Sequence, residues 1–174
     1  MLKMRPQKAV VFSLVATERA YDILDEEKPI AVVSYLKNKG GKIALDGKEY
    51  SIVRGGGPSD EMLGQALVRM VTGRKRVPAS WTLTDADGKT LASAEHSKEA
   101  IAVTRGGETF SFRKVKKMGH QLFRPGSDQP LSWTESENAP TNEFNPLFQV
   151  FLFSLVAALT EEDLGGVDAP VITT

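Results

Sequence analysis

The stretch "NEFNPLFQVFLFSLVAALTEED", residues 142–163, decides the fold. From Phe144 to Thr160 it carries no charge. Asn145-Pro146 reads as a helix start, an N-cap residue followed by proline at the first helical position. The run that follows is apolar on every side of a helical wheel, broken only by Gln149 and Ser154. A helix with no polar face needs apolar surroundings all round. About 15 residues give roughly 22 Å of helix, short of the roughly 30 Å hydrocarbon layer. Glu161, Glu162 and Asp163 follow it where basic anchors are usual for a membrane span. The helix, about residues 146–160, is therefore expected inside protein and not across a membrane, with 161–174 as a tail.

The neighbours available to bury it are strands. Five hairpins are legible, at residues 20–36, 42–54, 80–95, 100–114 and 120–133. Asp46-Gly47 and Gly106-Gly107 sit between alternating runs, a strong hairpin signal. Pro125-Gly126 marks the last turn. Two of these hairpin pairs share one offset. Tyr21 falls on Trp81, Ile23 on Leu83, Asp25 on Asp85, Ile43 on Val103, Gly47 on Gly107, Tyr50 on Phe110 and Ile52 on Phe112. This reads as an internal duplication of a four-strand unit. Between the halves, Met62, Leu63, Ala66, Leu67, Met70 and Val71 line one face of an inserted amphipathic helix over 60–72. Ser59 caps its start and Gly73 ends it.

About eleven strands can close into a barrel wide enough for a helix, and closure removes exposed edges. The expectation is one domain over 1–174, mainly β: a closed antiparallel barrel of about twelve strands around the C-terminal helix. At the N-terminus, Lys3, Arg5 and Lys8 precede "AVVFSLVA" (9–16), which has the outline of a secretory signal. The run is short for that purpose, and Leu14 stands where a small residue should precede the cut. A first β-strand is the better reading.

"YDILDEEKPIAVV" and "WTLTDADGKTLASAE", with "LFQVFLFSLVAALT", resemble the LURP-one-related proteins of the tubby C-terminal-like superfamily, which includes the phospholipid scramblases. The resemblance runs from about Lys8 to Thr160 and implies a twelve-stranded barrel enclosing a central helix. It also implies a cytoplasmic module able to meet phosphoinositide-like head groups through basic residues. No family residue maps onto this chain one for one, and the segment 60–72 departs from the family pattern.

Chemistry is sparse in the sequence. Lys plus Arg equals Asp plus Glu at 22 each, so no global field steers the chain to nucleic acid. The absence of Cys excludes disulfides, zinc-thiolate sites and thiol catalysis. His96 and His120 lack ligand-spaced partners and read as loop residues, so no metal or cofactor is expected. "DADG" (85–88) lacks the spacing of a calcium loop and reads as a hairpin turn. "GGGPSD" (55–60) lacks the P-loop lysine and reads as a connection. "FNPLFQVF" reads as core. Three basic clusters remain: Lys37, Lys39 and Lys42; Arg74, Lys75 and Arg76; Arg113, Lys114, Lys116 and Lys117. The last crowds one strand end and is the candidate anion patch. No nucleophile, base and acid converge, so the chain reads as a non-enzymatic binding or tethering module. It would contact anionic lipid or a protein partner through the barrel exterior. The alternatives are a structural protein-interaction domain without ligand, or a scramblase-like lipid-handling protein.

Overall fold

A computed structural model describes residues 2–7, 18–56, 78–97, 100–116, 119–131 and 144–162. The first half of the chain supplies β1 (Leu2–Pro6), β2 (Glu18–Asp25), β3 (Lys28–Leu36), β4 (Gly40–Leu45) and β5 (Lys48–Gly55). The second supplies β6 (Ser80–Thr84), β7 (Thr90–His96), β8 (Ile101–Arg105), β9 (Glu108–Val115), β10 (Gly119–Phe123) and β11 (Pro130–Leu131). One helix follows, α1 (Pro146–Glu162). All five hairpins read from the sequence are present. The segments 9–16 and 60–72, expected as a strand and a helix, lie outside the described residues; the first described strand is Leu2–Pro6.

Alternation places the side chains. Ile43 and Leu45 are buried, while Lys42 before them and Ala44 between them are exposed. Asp46 and Gly47 have φ of 51° and 72°, and Gly106 and Gly107 have 59° and 84°. Two successive positive φ values match the right-handed twist of the flanking strands, which is why Asp-Gly and Gly-Gly favour these hairpins.

The eleven strands form one sheet in the order β1 to β11, each antiparallel to its neighbour in sequence. This corrects the expected closed barrel of about twelve strands. Among the described residues β1 pairs only with β2, and β11 only with β10, so the sheet is open. Closure would remove bare edges, and other devices blunt the edges here. β1 carries Lys3, Arg5 and Pro6, while β11 is two residues long and begins with proline. Charge, proline and brevity each discourage further strand pairing.

The helix is as central as its sequence requires. Every residue from Phe148 to Leu159 is buried, Gln149 and Ser154 included. Twelve consecutive residues cover the whole wheel, so the helix is enclosed by protein on every side. Asn145 caps the start, its side-chain oxygen accepting from the Phe148 N–H at 2.9 Å. The two polar interior residues are satisfied locally. Gln149 donates to the Phe144 carbonyl at 3.1 Å and Ser154 to the Phe151 carbonyl at 2.6 Å. The helix extends to Glu162, two residues past the expected end, and no helix among the described residues is long and apolar enough to cross a membrane.

The duplication is visible strand by strand. β2–β5 and β6–β9 are successive four-strand meanders. Ile43 pairs with Tyr50, and Val103 with Phe110; Gly41 pairs with Ile52, and Ile101 with Phe112. Even the irregularities match, because register shifts fall between Ile23 and Leu24 and between Leu83 and Thr84. Tyr50 packs partly buried against the core that Phe110 enters fully.

Candidate functional site

The candidate patch begins at the end of β9. Phe110 and Phe112 point inward and are buried, so Arg113 projects from the outer face and Lys114 from the inner. The Arg113 guanidinium lies 4.2 Å from the centre of the Phe123 ring and 3.4 Å from the Asp128 carboxylate. It covers an outward-facing aromatic ring. Lys114 is exposed beyond the last inward phenylalanine, and Lys116 is exposed in the following turn. Lys117 lies outside the described residues. Arg113 and Lys114 thus face opposite sides of the sheet, and Lys114 and Lys116 are the exposed cations of the group.

Topology adds partners from the first cluster. In a meander the connections alternate between the two ends of the sheet. The β3–β4 and β9–β10 connections leave from the same end. Lys37 and Lys39 are both exposed there, as are Lys114 and Lys116, and Arg19 at the start of β2 is exposed at that end too. The exposed acid Glu95 shares it. Lys42, by contrast, sits within β4 and pairs across the strands with Glu49 at 2.9 Å. Arg74, Lys75 and Arg76 lie outside the described residues.

Both histidines are strand residues, not loop residues as expected. His96 ends β7, and His120 lies in β10 stacked on Phe112 with ring centres 5.3 Å apart. Burial, and secondarily the Lys114 charge, lowers the pKa of His120 below the ordinary histidine value. Among the described residues no group of three or more His, Asp or Glu side chains could hold a metal. The "DADG" loop is a turn, and its carboxylate is already engaged. Asp85 accepts from the N–H groups of Asp87 and Lys89 at 3.1 and 2.9 Å.

Two inward arginines escaped the sequence reading. Arg54 follows Tyr50 and Ile52 on the inner face of β5 and is buried. It donates to the Gly55 carbonyl at 2.7 Å and to the Gly56 carbonyl, and its guanidinium lies 5.6 Å from the Trp81 ring centre. The Trp81 indole in turn donates to the Tyr35 hydroxyl at 2.8 Å. These bonds satisfy a polar group brought into the core. Arg105 follows Ile101 and Val103 on β8 in the same way. Strand phase alone would have flagged both residues.

The opposite end of the sheet holds the turns Glu26-Glu27, Asp46-Gly47, Asp85–Lys89 and Gly106-Gly107. A cavity of about 250 Å³ opens there, lined by Arg105, Gly106, Glu108, Phe110, Arg124 and Phe144. Set against protein-family models, curated proteins and solved structures, the chain matches none of them.

Proposed function

We propose that this chain is a non-catalytic tethering module that docks on an anionic membrane surface through the basic end of its sheet. The observation that carries the reading is the gathering of Lys37, Lys39, Lys114 and Lys116 at one end of the meander, all exposed. The helix packs on the inner face of the sheet, so contact with a large partner falls to the rims and the outer face. Each lysine near an anionic cytoplasmic leaflet contributes about 1 kcal/mol, so four together supply about 4 kcal/mol, close to a thousandfold in affinity. The resemblance to tubby-type domains, which use basic residues against phosphoinositides, agrees with this reading.

Co-sedimentation with vesicles tests it. Binding is expected to vesicles containing phosphatidylserine, to fall steeply with added salt, and to be absent from phosphatidylcholine alone. Surface charge acts only over about 8 Å at physiological ionic strength. Lys114→Glu with Lys116→Glu should reduce binding, and Lys37→Glu with Lys39→Glu should reduce it by a similar factor. Equal binding to both vesicle types, or none, would overturn the membrane reading and favour a protein partner.

A further inference from the structure

The cavity at the other end of the sheet contains an arginine where the fold calls for an apolar residue. Ile101, Val103 and Arg105 share the inner face of β8, and the first two are buried. The first half of the molecule offers an internal control. Ile43 and Val103 are equivalent in register, so Leu45 is the counterpart of Arg105. Leu45 is buried in the core. Arg105 at the matching place is half-buried, with its guanidinium 5.0 Å from the centre of the Phe148 ring.

This cation has no counter-ion among the described residues. Its cross-strand partner is Glu108, but the Glu108 carboxylate lies 3.6 Å from the Arg124 Nε instead. Stacking on an aromatic face offsets part of the cost of taking a guanidinium out of water, and a carboxylate in bidentate contact offsets far more. The cavity beside it provides room for one. Its apolar wall is built from Phe110 and Phe144, packed edge to face at 5.6 Å, with Phe148 5.2 Å from Phe144.

We propose that this cavity binds a small monocarboxylate with a compact apolar body, anchored by Arg105 and flanked by Arg124. The lining fixes the class. Among the described lining residues Glu108 is paired with Arg124, and Arg105 is left to offer one positive charge, which suits a monoanion. Glu108 and the phenylalanine wall disfavour a phosphate dianion, which needs polar donors on several sides. About 250 Å³ holds an aromatic ring or a short alkyl chain but no extended lipid. The site stands apart from the basic end of the sheet and does not depend on membrane docking.

Titration of the full chain with benzoate, followed by amide NMR, tests the assignment. Saturable shifts are expected at Gly106 and Glu108, with benzamide and inorganic phosphate each at least tenfold weaker. Arg105→Leu installs the residue of the first half, so it should fold, and benzoate affinity should fall at least tenfold. Arg105→Gln serves as a second variant with a polar side chain of similar reach, and near-UV circular dichroism checks that each variant is native. An absence of saturable shifts at the cavity would overturn the proposal. So would benzoate binding that is unchanged in a folded variant, or phosphate binding more tightly than benzoate.

Discussion

β2–β5 and β6–β9 are the same four-strand unit built twice, and they agree in the middle while differing at the ends. Across the middle, Tyr21 and Trp81, Ile23 and Leu83, Ile43 and Val103, and Ile52 and Phe112 are buried in matching places. All of them face α1, which is apolar round its whole circumference and asks the same of both halves. At the strand ends the pairs part company. Leu45 is core where Arg105 borders a cavity, and buried Arg54 caps two carbonyls where Lys114 is exposed. The turns differ too. The β2–β3 turn is two residues, Glu26 and Glu27, with φ of 46° and 68°. Its counterpart runs from Asp85 to Lys89 and gives its positive φ to Gly88. At the other end the first half has the shorter connection, Lys37–Lys39, against the four residues 97–100, where the Ser97 N–H donates to the Ala100 carbonyl at 2.8 Å. Packing against a shared helix constrains the middle, and the rims are free to acquire charge and length.

The largest test removes what the halves share. Phe151 is fully buried in the helix, and Phe151→Ala should cost about 3–5 kcal/mol through lost burial and an unfilled cavity. Both halves should melt together in one calorimetric transition at lower temperature. Two separated transitions would break the idea of one core serving two halves.

A smaller effect should distinguish equivalent positions. Gly41 and Ile101 occupy matching places in register. A Cβ on Gly41 would lie 2.1 Å from the Ser34 carbonyl oxygen, in backbone that cannot yield cheaply, whereas Ile101 is comfortably buried. Gly41→Ala should destabilise by about 1–3 kcal/mol in urea melts, the range for forced overpacking. A neutral result would mean that the β3–β4 strand pair relaxes to accept it.

The smallest effect has the opposite sign. Glu27 holds a left-handed conformation that costs a non-glycine residue about 1 kcal/mol. Glu27→Gly should stabilise the fold by at most about 0.5 kcal/mol after the added flexibility of the unfolded chain is offset. The exposed Lys3–Glu27 ion pair lost with it contributes little. Destabilisation would show that this acidic turn is held by more than its backbone geometry.

The sequence by itself determined the local pieces. Asn145-Pro146 and an uncharged run set a buried helix, Asp-Gly and Gly-Gly set the turns, and alternation set which face of each strand is apolar. These are short-range properties, decided by a few neighbouring dihedrals and by the phase of the apolar residues. The duplication was legible for the same reason, since it repeats those local signals. Tertiary structure alone decided that the sheet stays open, because closure is a pairing between strands more than a hundred residues apart and leaves no mark on either strand's alternation. It also decided that Lys37, Lys39, Lys114 and Lys116 share one end, which follows from the order in which the strands pair. The phase of β8 already placed Arg105 on the inner face. That its guanidinium stacks on Phe148 while Glu108 turns to Arg124 depends on side chains meeting across β8, β9, β10 and the helix, and only their packing in space settles it.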